Sequence, residues 1–282
     1  MTPTTTRRPG PRRPTPRRPG RRGVPAPIAA PALIALVFLV LPLVAMLIRA
    51  PWRDLGGLLG QSEVRSALRL SLECASAATV ASLAFGVPLA WALAHLRLPG
   101  IGLVRALVML PLVLPPVVGG IALLLALGRN GVIGRYLDQW FGVTLPFTTP
   151  GVILAETFVA MPFLIVTVEG ALRAADHDIE EAAVTLGASR LTVFRRITLP
   201  AIGPSLAAGA ILCWARALGE FGATITFAGN FPGTTQTMPL AIYGAFQLDP
   251  QASVALGLVL LAVAVAVLTA LRTHWLRGAD PR

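Results

Sequence analysis

An all-α, polytopic membrane protein with about six transmembrane helices is the fold class this sequence predicts. Three observations carry that expectation. The 282-residue chain is 55% hydrophobic and only 13% charged, with a mean hydropathy of +0.71. A soluble domain of this size needs more surface charge to stay dispersed. Apolar runs of bilayer length recur along the chain, and arginines concentrate in alternate connections between them.

Residues 1–27 form the first element. Arginine pairs stand at 7–8, 12–13, 17–18 and 21–22, spaced by Pro, Gly and Thr. Like charges repel and Pro blocks helix formation, so a disordered, partly polyproline-like arm is expected. A cytoplasm-retained tail touching anionic lipid is its default role, with RNA or protein binding as the alternative. Each pair is followed by Pro or Gly rather than an apolar core, which argues against a twin-arginine export signal. The arm holds eight of the 24 cationic residues, so the net charge of +11 is largely its own. It is weak evidence for a nucleic-acid partner, and none is expected.

The membrane body is expected over residues 28–272. Ile28–Ile48 is uncharged, long enough for a hydrocarbon core of about 30 Å and longer than a signal-peptide core. The second span is read at Leu70–Ala94, with Glu73 near one end. The third, Ala106–Gly128, contains Pro111, Pro115 and Pro116. The fourth, Pro150–Val168, encloses Glu156; the fifth, Ile202–Phe227, carries Arg216 and Glu220; the sixth, Gln251–Leu271, is uncharged. Pro and Gly inside spans are tolerated where neighbouring helices or internal water meet the freed backbone groups. A short tail, 273–282, follows.

Arginine placement orients the spans. With the N-terminus inside, the cytoplasmic segments hold the arm, Arg97, Arg105, Arg173, Arg190, Arg195, Arg196, Arg272, Arg277 and Arg282. The outer segments keep Arg49, Arg53, Arg65, Arg129 and Arg135, and none in 228–250. The positive-inside bias places both termini in the cytoplasm.

Several chemistries are excluded or unsupported. Every cationic residue is arginine, so the lysine that a Walker A loop needs is missing and any ATP and Mg must be bound by a partner chain. Cys74 and Cys213 lie far apart in apolar runs and are expected as buried free thiols. His95, His177 and His274 are scattered, which gives no metal-ligand cluster. No catalytic residues, cofactor or metal are expected on this chain.

Between spans four and five lies a polar, cationic segment, about 171–203. Asp176 and Asp178 offer N-caps for a short helix, and Glu180 and Glu181 suit its positive end. Ala182, Ala183, Val184 and Leu186 give that helix a small, mildly apolar face. Gly187 can end it in a left-handed conformation. Ser189 can cap a second stretch carrying Leu191, Val193, Phe194 and Ile197, which Pro200 ends, and Pro204 suits the start of span five. Physically this is a helix, hinge and helix on the membrane surface, either a docking element or an interfacial loop held by lipid.

Glu181, Ala182, Ala183, Gly187, Ile197, Leu199 and Pro200 form one spaced signature over 181–200. It resembles the signature of inner-membrane permease subunits of binding-protein-dependent ABC importers. The resemblance implies a type I importer architecture in which this segment is the coupling helix docked in a cleft of the cytosolic ATPase. A closer resemblance spans most of 60–250. Leu110–Gly120 (LPLVLPPVVGG), Gly128–Gly131 (GRNG) and Arg216–Tyr243 (RALGEFGATITFAGNFPGTTQTMPLAIY) are similar to molybdate permease subunits. Sulfate permeases share Arg216–Glu220, whereas the FAGN and TQT-x-PLAIY runs favour molybdate or tungstate. The resemblance implies a homodimer around a central path, two cytosolic ATPase subunits and an extracytoplasmic oxyanion-binding protein. A sulfate or thiosulfate permease is the nearest alternative, and an ion-driven secondary transporter a more distant one.

Arg216 and Glu220 are four residues apart, on one helix face. With span five entering at Ile202, Arg216 sits about 20 Å along the axis, near mid-membrane, where an unpaired charge costs at least about 2.5 kcal/mol. The pair should face the protein interior or a water-filled path. It is either an ion pair locking helices together or a partly neutralised cation along an anion path, with Thr224 as a neighbouring path candidate. Gly229–Gly233 reads as a turn. Thr234, Thr235, Gln236 and Thr237 then suit an oxyanion, an ordinary polar loop or a contact for the binding protein. Glu73, Glu156 and Glu169 are expected to cap helix ends or to be paired.

Overall fold

The computed structural model describes residues 26–96, 99–175 and 177–276. The expected arm falls outside these apart from residues 26 and 27, as do Arg97, Asp176 and the last six residues of the expected tail. The chain divides into two units, residues 1–48 and 49–282.

In the first unit, α1 (Ala26–Ile48) is a 23-residue helix containing Pro31 and Pro42. None of its described side chains is buried, and Leu33, Phe38 and Leu41 are mostly exposed. A helix apolar all round and unburied fits a lipid solvent.

The second unit begins with α2 (Leu55–Gly60) and α3 (Ser62–His95). Ala67, Ser71, Cys74, Ala75, Ala78, Ser82, Gly86 and Ala90 form a buried stripe of small residues along α3, which lets a neighbouring backbone approach closely. That neighbour is α7 (Thr149–Ala174). A Cβ on Gly86 would lie 3.2 Å from Met161 Cγ of α7. Thr148 starts α7 by accepting the Gly151 N–H at 3.1 Å, and Pro150 fits the first turn, where a missing N–H costs nothing.

The third expected span is broken. It runs as α4 (Ile101–Val113) and α5 (Pro116–Leu127), bent by 118°. Leu114 and Pro115 are extended, with ψ of 135° and 132°, because a residue preceding Pro is pushed out of the helical region. Consecutive prolines thus turn what reads as one apolar run into two helices.

Beyond α5, α6 (Gly134–Phe141) lies before α7. After it come α8 (His177–Thr185), α9 (Arg190–Val193), a π-helical turn (Phe194–Thr198) and α10 (Leu199–Ala201). The fifth expected span is likewise interrupted, as α11 (Gly203–Leu218) and α12 (Gly222–Phe227). The expected loop 228–250 contains α13 (Met238–Leu248), an apolar helix packed on α14 (Pro250–Leu276) and α3.

Four helices (α1, α3, α7 and α14) are individually long and apolar enough to cross a membrane. The count reaches six when α4 with α5, and the bent 190–218 segment, are each taken as one span. The main core joins α3, α7 and α11 through Ala75, Leu93, Leu164, Val168 and Trp214. A second core, Leu123, Ala155, Val159, Ala223 and Phe227, joins α5, α7 and α12.

Candidate functional site

Two places gather the residues singled out from sequence. The first is the polar surface segment. Asp178 falls inside the first turn of α8 rather than capping it, where its charge still opposes the positive helix end. Gly187 has φ +90°; its N–H reaches Val184 O at 2.9 Å while Ala188 N–H reaches Ala183 O at 3.0 Å. These two bonds define the left-handed helix stop. Ser189 then caps α9 by accepting the Thr192 N–H at 3.2 Å.

Helical backbone runs one residue past Pro200 and turns at Ile202, with a 72° bend into α11. Pro200 therefore does not end the second stretch. It sits in the first turn of α10, behind a π turn that already displaces the hydrogen-bond register. Pro204 opens α11 as expected.

The signature residues divide by exposure. Glu181, Ala182, Gly187 and Pro200 are exposed, and Ala183, Ile197 and Leu199 are half-buried. Val184, Leu186 and Leu191 are 49%, 89% and 61% exposed, an apolar face left uncovered among the described residues.

Beneath that face is a group that sequence reasoning missed. Glu180 Oε1 accepts from the Thr198 hydroxyl at 2.5 Å, and its Oε2 lies 3.9 Å from His95 Nε2 at the end of α3. The His95 ring stacks on Trp91 at 4.7 Å, and Phe194 meets Trp91 edge-on. No short-range spacing links residues 95, 180 and 198, so only the fold reveals them as neighbours.

Close by, Glu169 accepts from Arg105 Nε at 2.8 Å and Arg173 Nε at 3.0 Å. Arg105 also donates to Leu93 O at 3.1 Å. One buried carboxylate thus ties α4 to α7, and its arginine to α3.

The second place is the break between α11 and α12. Arg216 Nη1 meets Glu220 Oε2 at 2.7 Å, so the four-residue spacing does pair them. The expected continuous helix does not exist there: α11 ends at Leu218, and Glu220 stands in the gap before α12. Glu220 Oε1 accepts the Ala223 N–H at 2.7 Å. One carboxylate therefore neutralises Arg216 in the last turn of α11 and satisfies an orphan donor at the start of α12. Glu220 is 1% exposed, whereas the Arg216 side chain is 25% exposed.

The two breaks are adjacent. A Cβ on Gly222 would lie 2.9 Å from Pro116 Cβ, and one on Gly120 only 1.7 Å from Thr226 Oγ1. Glycine on both sides lets α5 and α12 touch backbone to backbone. Thr224 is fully buried with no hydrogen-bond partner for its hydroxyl. Glu156 on α7 is 1% exposed, and its Oε2 has no partner either, contrary to the pairing expected. Glu73 instead pairs with Arg69 on the surface at 2.7 Å.

Part of the polar run after α12 bonds within the chain, while the Thr237 hydroxyl has no partner among the described residues. Thr235 accepts the Phe231 N–H at 2.9 Å, Thr149 donates to Thr234 O at 2.9 Å, and Ser71 accepts the Met238 N–H at 2.7 Å. Thr235 and Thr237 are buried. Cys74 and Cys213 are buried free thiols. Among the described residues no cluster of His, Cys, Asp and Glu could hold a metal ion.

Residues 86–281 match the family model described as binding-protein-dependent transport system inner membrane component. The molybdenum transport system permease protein ModB of Mycobacterium tuberculosis is 46% identical over 259 residues, covering 92% of this chain and 98% of that protein. ModB of Escherichia coli K12 is 44% identical over 210 residues, 74% and 92% of the two chains. The sulfate transport system permease protein CysT of Salmonella typhimurium is 36% identical over 245 residues, 86% and 88% of the two chains. In fold, the chain is similar to a bacterial ABC transporter that imports alginate, at a TM-score of 0.72 and 21% identity over 90% of this chain and 95% of that one. An inward-facing methionine ABC transporter matches at a TM-score of 0.56 and 19% identity, over 75% and 92% of the two chains. By the residues matched and the extent of this identity, the chain is a multi-pass membrane permease and belongs to the binding-protein-dependent transport system inner membrane component family.

Proposed function

We propose that this chain is the membrane-spanning subunit of an ATP-driven molybdate importer. The observation that carries the cargo is the 46% identity to a molybdenum permease over nearly its full length, against 36% to a sulfate permease. The chain works as a homodimer around a central path. Two cytosolic ATPase subunits supply ATP hydrolysis with their own Mg, and an extracytoplasmic binding protein delivers the oxyanion. This chain holds no cofactor and makes or breaks no covalent bond. Both termini face the cytoplasm, which puts Glu181–Pro200 and the Glu169 cluster on that side.

The coupling residues are Glu181, Ala182, Ala183, Gly187, Ile197, Leu199 and Pro200. The exposure pattern supports that division: an uncovered α8 surface for the ATPase, and half-buried Ile197 and Leu199 rooting it in the body. ATP-driven closure of the ATPases draws the two coupling segments together and opens the cavity outward, and hydrolysis reverses this.

Arg216 and Glu220 lie beside the anion path. Arg216 is a quarter exposed, and its one partner among the described residues is Glu220. It has donors left to face a dianion, and the neutralised charge keeps the ion from being held too firmly. Thr224, as a path residue, would have to be uncovered by movement at the helix breaks. Its unpartnered hydroxyl supports that role, because a buried hydroxyl without a partner is costly unless another state satisfies it.

ATP-dependent uptake by the complex in liposomes tests the reading, with molybdate, tungstate and sulfate in competition. Labelled molybdate should enter only with ATP and be displaced by tungstate at much lower excess than by sulfate. Equal displacement by sulfate would assign the chain to the sulfate class, and gradient-driven uptake without ATPase would make it a secondary transporter.

A further inference from the structure

Helix α8 is poorly seated on the protein that carries it. Among its described side chains none is buried, and only Glu180 and Ala183 are half-buried. Two cavities undercut it. One, of about 260 Å³, is lined on one side by Ala171, Ala174 and Ile202; the other, of about 540 Å³, by Trp91, His95 and Phe194. Glu180 and Thr198 line both. The bond between them, 2.5 Å long, therefore crosses the gap between two voids. It is a direct polar link from α8 to the turn that leads into α11.

That turn has unusual geometry. Thr198 closes the π-helical segment Phe194–Thr198 and is 3% exposed. A π turn holds one loosened hydrogen-bond register inside a helix, and such turns recur at functional sites. On the other side Glu180 approaches His95 at 3.9 Å, whose ring is braced by Trp91 and, through it, Phe194. Force applied to the exposed face of α8 has little close packing through which to spread. This carboxylate joins α8 to Thr198, hence to α10 and α11, and approaches the end of α3.

We infer that Glu180, the residue before the Glu-Ala-Ala signature, is a positioning residue that converts movement of the coupling helix into movement of α11 and α3. The inference rests on the importer reading above. A hydrogen bond from a hydroxyl to a carboxylate suits the role, being directional and stronger than a neutral one.

The test uses the full complex with its ATPase and binding protein in liposomes. Thr198→Val removes the donor and keeps the shape; Glu180→Gln weakens the acceptor. In both, ATPase subunits should still co-purify while molybdate carried per ATP hydrolysed falls about tenfold, the scale of one hydrogen bond to a charged group. The double variant should be no worse than the poorer single one, and Thr198→Ser should restore coupling. An unchanged transport-to-ATP ratio, additive losses or lost co-purification would each overturn the inference. Hydrogen exchange gives a cargo-independent arm. Nucleotide binding should change protection at residues 194–202 in the parent and not in Thr198→Val, and equal changes would overturn the strut. If the parent complex shows no ATP-driven molybdate uptake, the importer reading fails while the exchange arm still decides this one.

Discussion

Arg216 and Glu220 are joined at 2.7 Å across the end of a helix, not along its length. The pair holds the two halves of a broken membrane segment in register, because the other oxygen of the same carboxylate takes the Ala223 N–H. A structural ion pair and a residue beside an anion path are therefore compatible roles. Glu220 does the holding, and the partly exposed Arg216 keeps donors free.

Removal of either partner should have unequal consequences. Arg216→Ala leaves a carboxylate that is 1% exposed with the Ala223 N–H as its remaining partner among the described residues. Breaking a buried pair costs about 3–5 kcal/mol, and the partial exposure of Arg216 places this case at the lower end. The double variant Arg216→Ala/Glu220→Gln should regain part of the thermal stability, since no uncompensated charge remains, but none of the uptake. Thermal unfolding in detergent alongside uptake measures both. A double variant less stable than Arg216→Ala would show that Glu220 does not need its partner.

Gly120 sets how closely α5 and α12 approach. A methyl group there would fall 1.7 Å from Thr226 Oγ1 and 2.8 Å from the Ala223 carbonyl oxygen. The backbone cannot yield as a flexible side chain can, so Gly120→Ala should destabilise by at least about 1–3 kcal/mol. Thr226→Ala should rescue it only in part. Gly102→Ala on α4 meets nothing within 4 Å and should be neutral or slightly stabilising through helix propensity. Equal melting temperatures for the two alanine variants would contradict the close approach.

What the sequence makes legible is local. Gly187 and Ser189 announce a helix stop and a cap through backbone rules that act over a few residues, and both appear as anticipated. Arg216 and Glu220 pair because four-residue spacing brings side chains together even where the helix is ending. The breaks themselves were less visible. Pro115 and Pro116 signal an interruption, but not that α5 would turn by 118°. Gly219 and Gly222 beside Glu220 permit close helix contact or a bend, and such glycines are more often packing residues than hinges. Helix α13 hid in an expected loop because a mostly apolar helix of eleven residues is too short to cross a bilayer. Glu180, Thr198 and His95 could not be joined at all, since nothing in their spacing reports a contact made by the fold.

Glu169 gathers two guanidinium groups at 2.8 and 3.0 Å while only 6% of its side chain is exposed. Glu169→Gln keeps the shape but loses the charge both arginines share. A cost of about 3 kcal/mol is expected from a buried pair, most of it through Arg105, which is 27% exposed against 51% for Arg173 and holds the Leu93 carbonyl of α3 at 3.1 Å where Arg173 reaches it at 3.4 Å. Arg173 is half exposed and retains water, so Arg173→Ala should cost about 1 kcal/mol or less. Chemical denaturation of the detergent-solubilised chain distinguishes them. Equal losses in Glu169→Gln and Arg173→Ala would mean that the cluster does not join α4 to α7.

Gly187 isolates backbone conformation from packing. Its φ is +90°, and an added Cβ would touch nothing within 4 Å, so any penalty for Gly187→Ala comes from the left-handed backbone alone, about 1–2 kcal/mol. Asn tolerates that region better than Ala, and a β-branched residue tolerates it least. The order of effect should therefore be Gly187→Asn mildest, Gly187→Ala intermediate and Gly187→Val worst. Hydrogen exchange at Gly187 and Ala188 should rise in that order, because their N–H groups close the helix stop. ATPase co-purification should fall in the same order if the angle between α8 and α9 presents the docking face. A loss of co-purification that ignores the order, with Asn as damaging as Val, would point to a direct ATPase contact at Gly187 in place of a bend.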